Sequence, residues 1–555
     1  PFATIQHGID ASSNGDTIQV FTGTYLENIA FNGKTIHLIG SDRVNTILDG
    51  GGNGPCIQVA QSLSGTAEIK GFTIQNGQGL VGGWPSESHR AVGGGILVVY
   101  NNVLFEDLII KNNTAEYGGG IFFQSSESNL VDLYFKNVDF SENNSPLISS
   151  AAWIRPSYTT LNISDCEFEN HGSEIPSIVE ISGGDINVNF NDVLFDQNIG
   201  SLRIYAGGTQ SSFNINSSIF TNNSSTWRGG ALIFDGNDYT VTIDSSVFDN
   251  NHTSMAETGG GAISIENPSL TSISNTSFTN NSATVEGGAV YLKSGAIVSM
   301  TTSTFTSNTA QKAGAIYVEE GGLTLNDVTL TSNSSTYGGG GLRSRYSTLS
   351  LTDVTFDQNN ANGGPGGGLF LDGLGSDSEP VTVQNCSFTG NFSASDGSAI
   401  NSAGQNLTID GSIFSDNVTE GGGAIASVVV GFTMTNSLMH DNSGADGGAI
   451  MCNASNTTIT NCTIVGNNDT QLTGLNSSGI LVHTGNTSFT ILNSIIWDNV
   501  INFDDYDGGT LNISYSDIEG GESGILLSGN NTGTLNWGEG NFNINPLFTN
   551  LGNND

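Results

Sequence analysis

Hydrophobic and polar positions repeat along this chain with one dominant motif, an aromatic or aliphatic residue followed three positions later by Asn. Fifteen such anchors span 386 residues, which gives a mean repeat of about 27 residues with single intervals of 25 to 32. Intervals this variable suit stacked β-coils with loop insertions better than helical hairpins. The anchors are Ile110, Phe140, Phe168, Phe195, Phe220, Phe248, Phe278, Phe305, Leu330, Phe356, Phe388, Phe414, Met439, Ile464 and Ile496.

The residue three positions after the anchor is Asn in fourteen of the fifteen units and His171 in the remaining one. In stacked coils each amide side chain can pass a hydrogen bond to the next turn and also satisfy the backbone of the bend. We therefore predict a structural ladder of Asn side chains. We assign to it Asn223, Asn251, Asn281, Asn308, Asn333, Asn359, Asn391 and Asn417.

Local sequence patterns predict three strands in each repeat. Three residues before the anchor, twelve of the fifteen units carry Asp, Asn or Gly, which tolerate a left-handed backbone at a tight bend. Alternation on either side of that bend, as in Val241, Ile243 and then Phe248, predicts two short strands. A third strand follows a glycine corner such as Gly230-Ala231-Leu232, where we expect close backbone approach and a positive φ.

Three strands and three corners make one turn of a parallel β-helix, in which stacked anchors bury a continuous core. The predicted fold class is all-β, with three-strand coils and about 20 rungs. Residues 1–60 are expected to form a capping helix and opening coils, 61–500 the repeat coils, and 501–555 the last coils, leading to a missing or absent C-terminal module. Ile5 and Ile9, at helical spacing, mark the cap ahead of a first strand at Thr17–Phe21.

The Gly-Gly-Ala-Ile and Phe-x-x-Asn motifs resemble the polymorphic outer membrane protein repeat of bacterial autotransporter adhesins. The resemblance covers roughly residues 93 to 499. Residues 15–40, GDTIQVFTGTYLENIAFNGKTIHLIG, are similar to the opening coils of secreted right-handed β-helix proteins. The tail, with SIIWDN, ISYSDIEGG and GNFNINPLFTN, is similar to the last coils of large bacterial secreted proteins. These resemblances imply a right-handed parallel β-helix and adhesion at a cell surface.

Composition narrows the range of partners. The formal net charge is −40, and all 13 Lys and Arg lie at or before Arg345, so binding to nucleic acid or to an acidic membrane surface is disfavoured. The apolar runs are too short for a membrane span, so we expect no direct membrane insertion. Five cysteines, an odd number without a CxxC pair, are interpreted as buried small residues: Cys56, Cys166, Cys386, Cys452 and Cys462.

Candidate binding residues lie where the repeat is interrupted. One region is the insertion 81–92, and the other is the stretch between Phe140 and Tyr205 in which bulky groups replace the glycine corner. Aromatic rings beside guanidinium groups are typical of sugar or protein recognition, and the alternative is a loop-covered patch of the solenoid. The candidate binding residues are Trp84, Arg90, Trp153, Arg155, Tyr158, Arg203 and Tyr205.

The only dense acidic cluster is Asp504, Asp505 and Asp507. It is interpreted either as an incidental Ca²⁺ site or as a solvated acidic loop. No other cofactor is predicted.

The sequence favours a secreted, non-enzymatic adhesin or structural appendage, such as a filament subunit, located outside the cell or on its surface. The alternative is an extracellular polysaccharide-binding or polysaccharide-degrading β-helix protein. The expected partners are other copies of the chain, cell-surface proteins or glycans. We expect the last coils, around Trp497, Trp537 and Phe548, to form a contact surface whose acidic faces are bridged by divalent cations where copies meet.

Overall fold

The structure, a computed structural model, describes most of the chain. The described residues are 2–61, 63–82, 89–125, 131–207, 211–267, 270–373, 381–428, 431–453, 456–469, 479–484, 487–505, 507–527 and 531–548. The chain divides into two compact units, Pro1–Ser282 and Ala283–Asp555, here called unit 1 and unit 2. The finer division at residues 60 and 500 stays a prediction.

Unit 1 begins with the predicted helix, Ile5–Ala11. The Thr4 side chain caps it by accepting a hydrogen bond from the backbone N–H of His7 at 3.2 Å. Ile5 and Ile9 are buried, so the helix covers apolar surface at the start of the solenoid. The first strand is Thr17–Val20, one residue shorter than predicted.

The strands of unit 1 lie in two sheets, and each pairs in parallel with its equivalents in the neighbouring turns. The first sheet contains Thr17–Val20, Gly23–Leu26, His37–Gly40, Thr46–Asp49, Ala67–Gln75, Val103–Lys111, Val131–Ser141, Thr159–Ser164, Glu167–Glu169, Asn187–Asn191, Leu194–Asp196, Ser211–Asn216, Ile219–Thr221, Tyr239–Asp244, Val247–Asp249, Leu270–Ser274 and Ser277–Thr279. The second contains Ile29–Ala30, Ile57–Val59, Ile96–Val99, Ile121–Gln124, Ala152–Arg155, Gly172–Gly184, Ile199–Gly207, Ser224–Ser225, Leu232–Gly236, His252–Thr253 and Ile263–Glu266. A separate antiparallel pair joins Leu80–Val81 to Ala91–Val92 at the base of the insertion.

Unit 2 has the same two-sheet arrangement, after the short strand Ser282–Ala283 at the boundary. Its first sheet contains Ile297–Thr301, Thr304–Thr306, Gly322–Asn326, Thr329–Thr331, Thr348–Thr352, Thr355–Asp357, Val381–Gln384, Ser387–Thr389, Leu407–Asp410, Ile413–Ser415, Phe432–Thr435, Leu438–His440, Thr457–Thr460, Thr463–Val465, Ser488–Leu492, Ile495–Trp497, Thr510–Ser514, Asp517–Ile518 and Thr534–Trp537. The second contains Val290–Lys293, Thr309–Lys312, Ile316–Glu319, Ser334–Gly338, Leu342–Arg345, Asn360–Ala361, Leu369–Asp372, Phe392–Ser393, Ile400–Ala403, Val418–Thr419, Ile425–Val428, Ser443–Gly444, Ile450–Asn453, Asn468–Asp469, Ile480–Thr484, Ile501–Asp505 and Leu526–Leu527. A 3-10 helix spans Gly521–Gly524.

These strands define an all-β, right-handed parallel β-helix, as predicted, with about 17 turns and a repeat of about 27 residues. The predicted count of about 20 rungs is too high, because insertions and terminal segments use residues that a uniform repeat would assign to turns. Sequence analysis also missed a fourth, very short strand, such as His252–Thr253, directly after the ladder Asn. No helix in the described ranges is long and apolar enough to cross a membrane.

The left-handed bend is present in every one of the fifteen repeats. All fifteen residues three positions before the anchor have φ between 47° and 61°, including Ser217, Ser245 and Thr302, which the composition of that column did not mark. The glycine corner differs from expectation. In the corner Gly423-Ala424-Ile425 the expected glycine, Gly423, has a positive φ. In the corner Gly230-Ala231-Leu232 the positive φ lies one residue earlier, at Gly229. Gly230 is required for close approach instead, since a Cβ there would lie 2.1 Å from the carbonyl oxygen of the next turn.

The core of each unit is built from stacked anchors and buried amides. The rings of Phe168, Phe195 and Phe220 stack with centroids 4.6 and 4.9 Å apart and nearly parallel planes. Alongside them, Asn223 Nδ2 donates to Asn251 Oδ1 at 3.0 Å and to the Phe195 carbonyl at 2.9 Å. In unit 2 the same contacts join Asn308, Asn333, Asn359, Asn391, Asn417, Asn442 and Asn467. The ladder thus pairs backbone and side-chain polar groups that no water reaches.

All five cysteines are buried and unbridged, as predicted. Cys166, Cys386 and Cys462 occupy the position two residues before an anchor, a buried column that otherwise holds Ser, Thr, Val and one Leu. Burial raises the pKa of the Cys386 thiol to about 11, which keeps it protonated and unreactive at neutral pH.

Candidate functional site

The outward-facing positions of the strand after the glycine corner carry a group of charged and aromatic side chains in unit 1. Parallel pairing sets Trp153 beside Glu180, and Glu180 beside Arg203. Two residues along, Tyr205 is paired with Asp235 on the next turn. Side chains from successive turns therefore converge on one strip of the surface.

Arg203 is the centre of this strip. Its Nε donates to Asp235 Oδ2 at 3.1 Å, and its Nη1 lies 3.5 Å from Glu180 Oε2. The guanidinium carbon also lies over two rings, 5.3 Å from the centroid of Trp227 and 5.8 Å from that of Tyr205. Two carboxylates and two aromatic faces hold this side chain in one orientation.

A second guanidinium completes the site. Arg228 Nη2 lies 3.1 Å from Asp235 Oδ1, so Asp235 bridges the two arginines, and Arg228 Nη1 is paired with Glu266. We call this set the arginine cluster: Glu180, Arg203, Tyr205, Trp227, Arg228, Asp235 and Glu266. With both arginines and all three acids ionised, it carries one net negative charge.

Burial within the cluster shifts one carboxyl group. Glu180 is 8% exposed, and its removal from water raises the pKa, an effect that the positive charge of Arg203 partly offsets. Tyr205, in contrast, is 54% exposed, so the rim of the cluster presents an aromatic ring to solvent. A buried network of fixed charges below an exposed ring is an arrangement suited to binding a polar partner.

Only part of the predicted binding set belongs to this cluster. Trp153 is buried, at 6% exposure, and its ring packs 4.7 Å from Tyr117 and 5.3 Å from Phe122 in an outer apolar layer. Arg155 lies over the same indole at 5.0 Å, and Tyr158 is an exposed bend residue with φ of 51°. The Trp153 ring is thus packed beneath the surface strip and is not exposed for binding.

Arg90, the described candidate of the insertion, shares no ion pair or hydrogen bond with the cluster residues. Arg90 forms an ion pair with Glu116 at 3.2 Å, and Glu116 also accepts the backbone N–H of Ala91. Trp84 lies outside the described residues. A binding role for this insertion stays a prediction.

The acidic candidates form a tight turn in unit 2. Asp505 is fully buried, and its Oδ2 accepts the backbone N–H groups of Gly508 and Gly509 at 2.8 Å each. Its Oδ1 lies 3.4 Å from the backbone N of Asp507, while Asp504 Oδ2 lies 3.3 Å from His483 Nδ1. The Asp505 carboxylate thus accepts hydrogen bonds from backbone N–H groups of its own loop. The described residues contain no group of three or more His, Cys, Asp or Glu placed to hold a metal. Binding of Ca²⁺ remains an untested expectation.

Sequence reasoning missed Glu180, Trp227, Arg228, Asp235 and Glu266. A sequence signal was available for three of them, because Glu180, Asp235 and Glu266 lie two or four residues after the corner residues Ile178, Ala231 and Ala262. Trp227 and Arg228 lie in the loop before that strand, where repeat spacing gives no guide.

Unit 2 contains a similar group of arginine, aromatic and acidic side chains, formed by different residues. The Arg343 guanidinium lies 4.8 Å from the ring centroid of Phe370 and 5.5 Å from that of Tyr337, and is paired with Asp372. Arg345 Nη1 lies 2.9 Å from Glu319 Oε1. Arg343 is almost fully buried, which makes this second group a structural clamp more than an accessible surface.

Comparison with known proteins agrees with this architecture. Residues 288–427 and 368–537 match the family described as the right handed beta helix region. Residues 275–293 match the Chlamydia polymorphic membrane protein repeat, which confirms the resemblance inferred from the Gly-Gly-Ala-Val and Phe-x-x-Asn motifs of that segment. The class defined by fold and sequence is therefore a right-handed parallel β-helix with a polymorphic membrane protein-type repeat. No curated protein matches the chain.

Two solved structures match the chain over most of its length at very low identity. A PL6 family alginate lyase, AlyGC, is 10% identical with a TM-score of 0.27, and the match covers 97% of this chain and 98% of the lyase. The receptor binding domain of the Siphovirus 9NA tailspike is 11% identical with a TM-score of 0.20, covering 83% of this chain and 72% of the tailspike chain.

Proposed function

We propose that this chain is the ligand-presenting part of an extracellular, cell-surface adhesin and that it binds its target without chemical turnover. The single observation that carries the proposal is the arginine cluster, in which Arg203 is fixed by Glu180 and Asp235 beneath the exposed ring of Tyr205. Arg, Tyr and Trp are the residues that dominate protein binding surfaces. The polymorphic membrane protein-type repeat supports a cell-surface location.

The rigidity of the scaffold supports the same proposal. Glu180, Arg203, Tyr205 and Asp235 lie on strands that are paired on both sides, so the sheet holds these side chains before a partner arrives. Preorganisation of this kind lowers the entropy cost of binding. We expect the partner to be a surface protein or a glycan with cationic or hydroxyl groups, since the cluster has a net negative charge.

The test is binding of the purified chain to whole cells and to glycan arrays. Replacing Tyr205 and Trp227 together by Ala removes both aromatic rings of the cluster. We expect a loss of at least about 1.4 kcal/mol of binding free energy, which corresponds to a tenfold lower affinity. Tyr134→Ala is the matched control, since Tyr134 is 38% exposed and lies on the other sheet. Equal loss in both variants, or no loss in the double variant, contradicts a binding role for the cluster.

One observation favours the second candidate function, a polysaccharide-binding or polysaccharide-degrading protein. Burial raises the pKa of Glu180, and a carboxyl group whose pKa is raised is the usual general acid of glycoside hydrolysis. Incubation with acidic and neutral polysaccharides distinguishes the two functions. Sustained release of reducing or unsaturated ends that Glu180→Gln abolishes supports the enzyme and contradicts the adhesin.

We further propose that copies of the chain associate through the predicted C-terminal contact surface, with Ca²⁺ as a bridging ion. The apolar side chains of this region support the idea, since Leu547 is 77% exposed, Ile544 66% and Phe548 38%. Exposed apolar side chains at this density are typical of contact surfaces.

A further inference from the structure

One step of the amide ladder is missing in unit 1. At an intact step, the backbone N–H and Nδ2 of Asn113 donate to Asn143 Oδ1 at 3.1 and 3.0 Å. The next ladder position is His171, which offers no amide oxygen, and among the described residues no side-chain hydrogen bond joins Asn143 to His171. The side-chain ladder therefore does not fasten the turn of His171 to the turn before it.

His171 is fully buried and has one side-chain partner. Its Nδ1 lies 3.1 Å from Asn198 Oδ1, and the Asn198 amide is oriented by Nδ2, which donates to the Phe168 carbonyl at 2.8 Å. Nδ1 therefore carries the ring proton, and Nε2 is a buried acceptor without a partner among the described residues. A second proton at Nε2 would place a positive charge where no acceptor lies, which is strongly unfavourable.

Among the described side chains, no charged group faces this ring. The neighbouring ladder positions carry amides, and the anchor of the same turn is Phe168. The carboxylates nearest to the ladder column, Glu142 and Glu169, occupy outward positions. Burial lowers the pKa of His171 to about 4, and only the hydrogen bond with Asn198 opposes this shift.

The strand that follows His171, Gly172–Gly184, is attached irregularly to its neighbours. Its register with the following turn shifts twice before Val179. Its pairing with the preceding strand, Ala152–Arg155, covers only Val179 to Ile181. Segments with few regular backbone hydrogen bonds open at a lower free energy than the rest of a fold. We therefore expect this strand to open more readily than the strands on either side.

We propose that the segment from His171 to Gly184 is an acid-sensitive joint, in which protonation of His171 favours a locally opened state that separates Glu180 from Arg203. The joint links pH to the arrangement of the arginine cluster, because Glu180 lies on the strand that opens and pairs there with Arg203. It does not rest on the adhesin function, since local opening is a property of the chain alone.

The direction follows from where each state binds its proton. In the open segment His171 is protonated near pH 6.5, whereas in the closed segment it stays neutral down to about pH 4. Acidification between these values therefore favours the open segment, and His171 alone should raise the opening equilibrium about thirtyfold from pH 7.5 to pH 5. Glu180 acts in the opposite sense, because burial raises its pKa in the closed segment, and the charge of Arg203 offsets part of that effect.

The test is hydrogen exchange of backbone amides in the full chain at pH 7.5 and pH 5, corrected for the intrinsic pH dependence of exchange. The variant is His171→Asn, which supplies the missing amide and cannot be protonated. For residues 177–184, the increase in opening on acidification should be about thirtyfold larger in the parent chain than in this variant. Because Glu180 is present in both chains, its contribution cancels in the comparison.

The matched control is His252→Asn, since His252 is exposed and directly follows a ladder Asn in unit 1. It should respond to pH like the parent chain, and circular dichroism at both pH values shows that each variant is folded. His171→Gln gives the same comparison if the Asn variant is unstable.

Equal pH dependence in the parent chain and in His171→Asn overturns the proposal. Equal acceleration of exchange at residues 239–249 indicates that unit 1 opens as a whole and overturns it as well, and so does loss of the pH dependence in His252→Asn. Failure of the adhesin function appears separately, as absent binding to cells and glycans, and leaves the exchange result unchanged.

Discussion

Replacing Asn223 by Ala tests the amide ladder at a point where every partner is known. Asn223 is 2% exposed. Its Nδ2 donates to the Phe195 carbonyl at 2.9 Å and to Asn251 Oδ1 at 3.0 Å. Its Oδ1 accepts the backbone N–H of Asn198 at 3.2 Å and the Asn198 Nδ2 at 2.9 Å. The substitution removes all four hydrogen bonds from a site that water does not reach.

The magnitude follows from which groups lose their only partner. Asn251 Oδ1 keeps the backbone N–H of Asn223, and Asn198 Nδ2 keeps the Phe168 carbonyl. The Asn198 N–H loses its acceptor, and the Phe195 carbonyl loses the amide donor. At about 1–3 kcal/mol for a buried donor left unpaired, we expect the free energy of unfolding to fall by about 1–3 kcal/mol.

The assay is denaturant unfolding followed by circular dichroism, with amide hydrogen exchange of residues 195–251 as a local measurement. The local measurement is needed because repeat arrays can unfold in parts. The matched control is Asn222→Gly, since Asn222 is exposed and has φ of 55°, which Gly adopts without strain. We expect the control to change stability by less than about 0.5 kcal/mol. An unchanged midpoint and unchanged exchange in Asn223→Ala would refute the reasoning.

Four further outcomes are expected. Phe195→Ala should cost about 3–5 kcal/mol in thermal unfolding, because it opens a gap between rings stacked on both sides. Gly314→Ala should lower the free energy of unfolding by more than about 3 kcal/mol, because its Cβ would lie 2.1 Å from a carbonyl oxygen. Gly295→Ala should lower it by only about 1–2 kcal/mol in the same measurement, because the space there is open and only the φ of +83° is unfavourable. Burial lowers the pKa of His171 from 6.5 to about 4, so between these pH values the unfolded chain binds a proton that the folded chain does not. The free energy of unfolding should therefore be highest above pH 6.5 and fall by about 3 kcal/mol as the pH is lowered to 4. His171→Asn should reduce this pH dependence in unfolding titrations. Light scattering with Ca²⁺ and then with chelator should show association that the chelator reverses, and a strictly monomeric chain indifferent to Ca²⁺ would contradict the proposed C-terminal contact surface.

The sequence by itself determined the repeat, the bend and the ladder. Each depends on residues at fixed distances within one turn, such as Asp244-Ser245-Ser246 before Phe248 and Asn251 after it. Left-handed backbone preference and the need to pair buried amides are local constraints, so they leave a periodic mark on the chain.

Only the tertiary structure decided which outward side chains meet. Trp227 and Arg228 reach Arg203 from a loop, and the loops that separate turns differ in length, so spacing along the chain does not give their neighbours. The columns of outward side chains likewise require the register between turns, as where Thr355 pairs with Ser387 across a 32-residue interval. Inward positions recur because every turn shares one core, while outward positions are free to vary, and their assembly into sites depends on contacts between turns that the pattern within a turn does not contain.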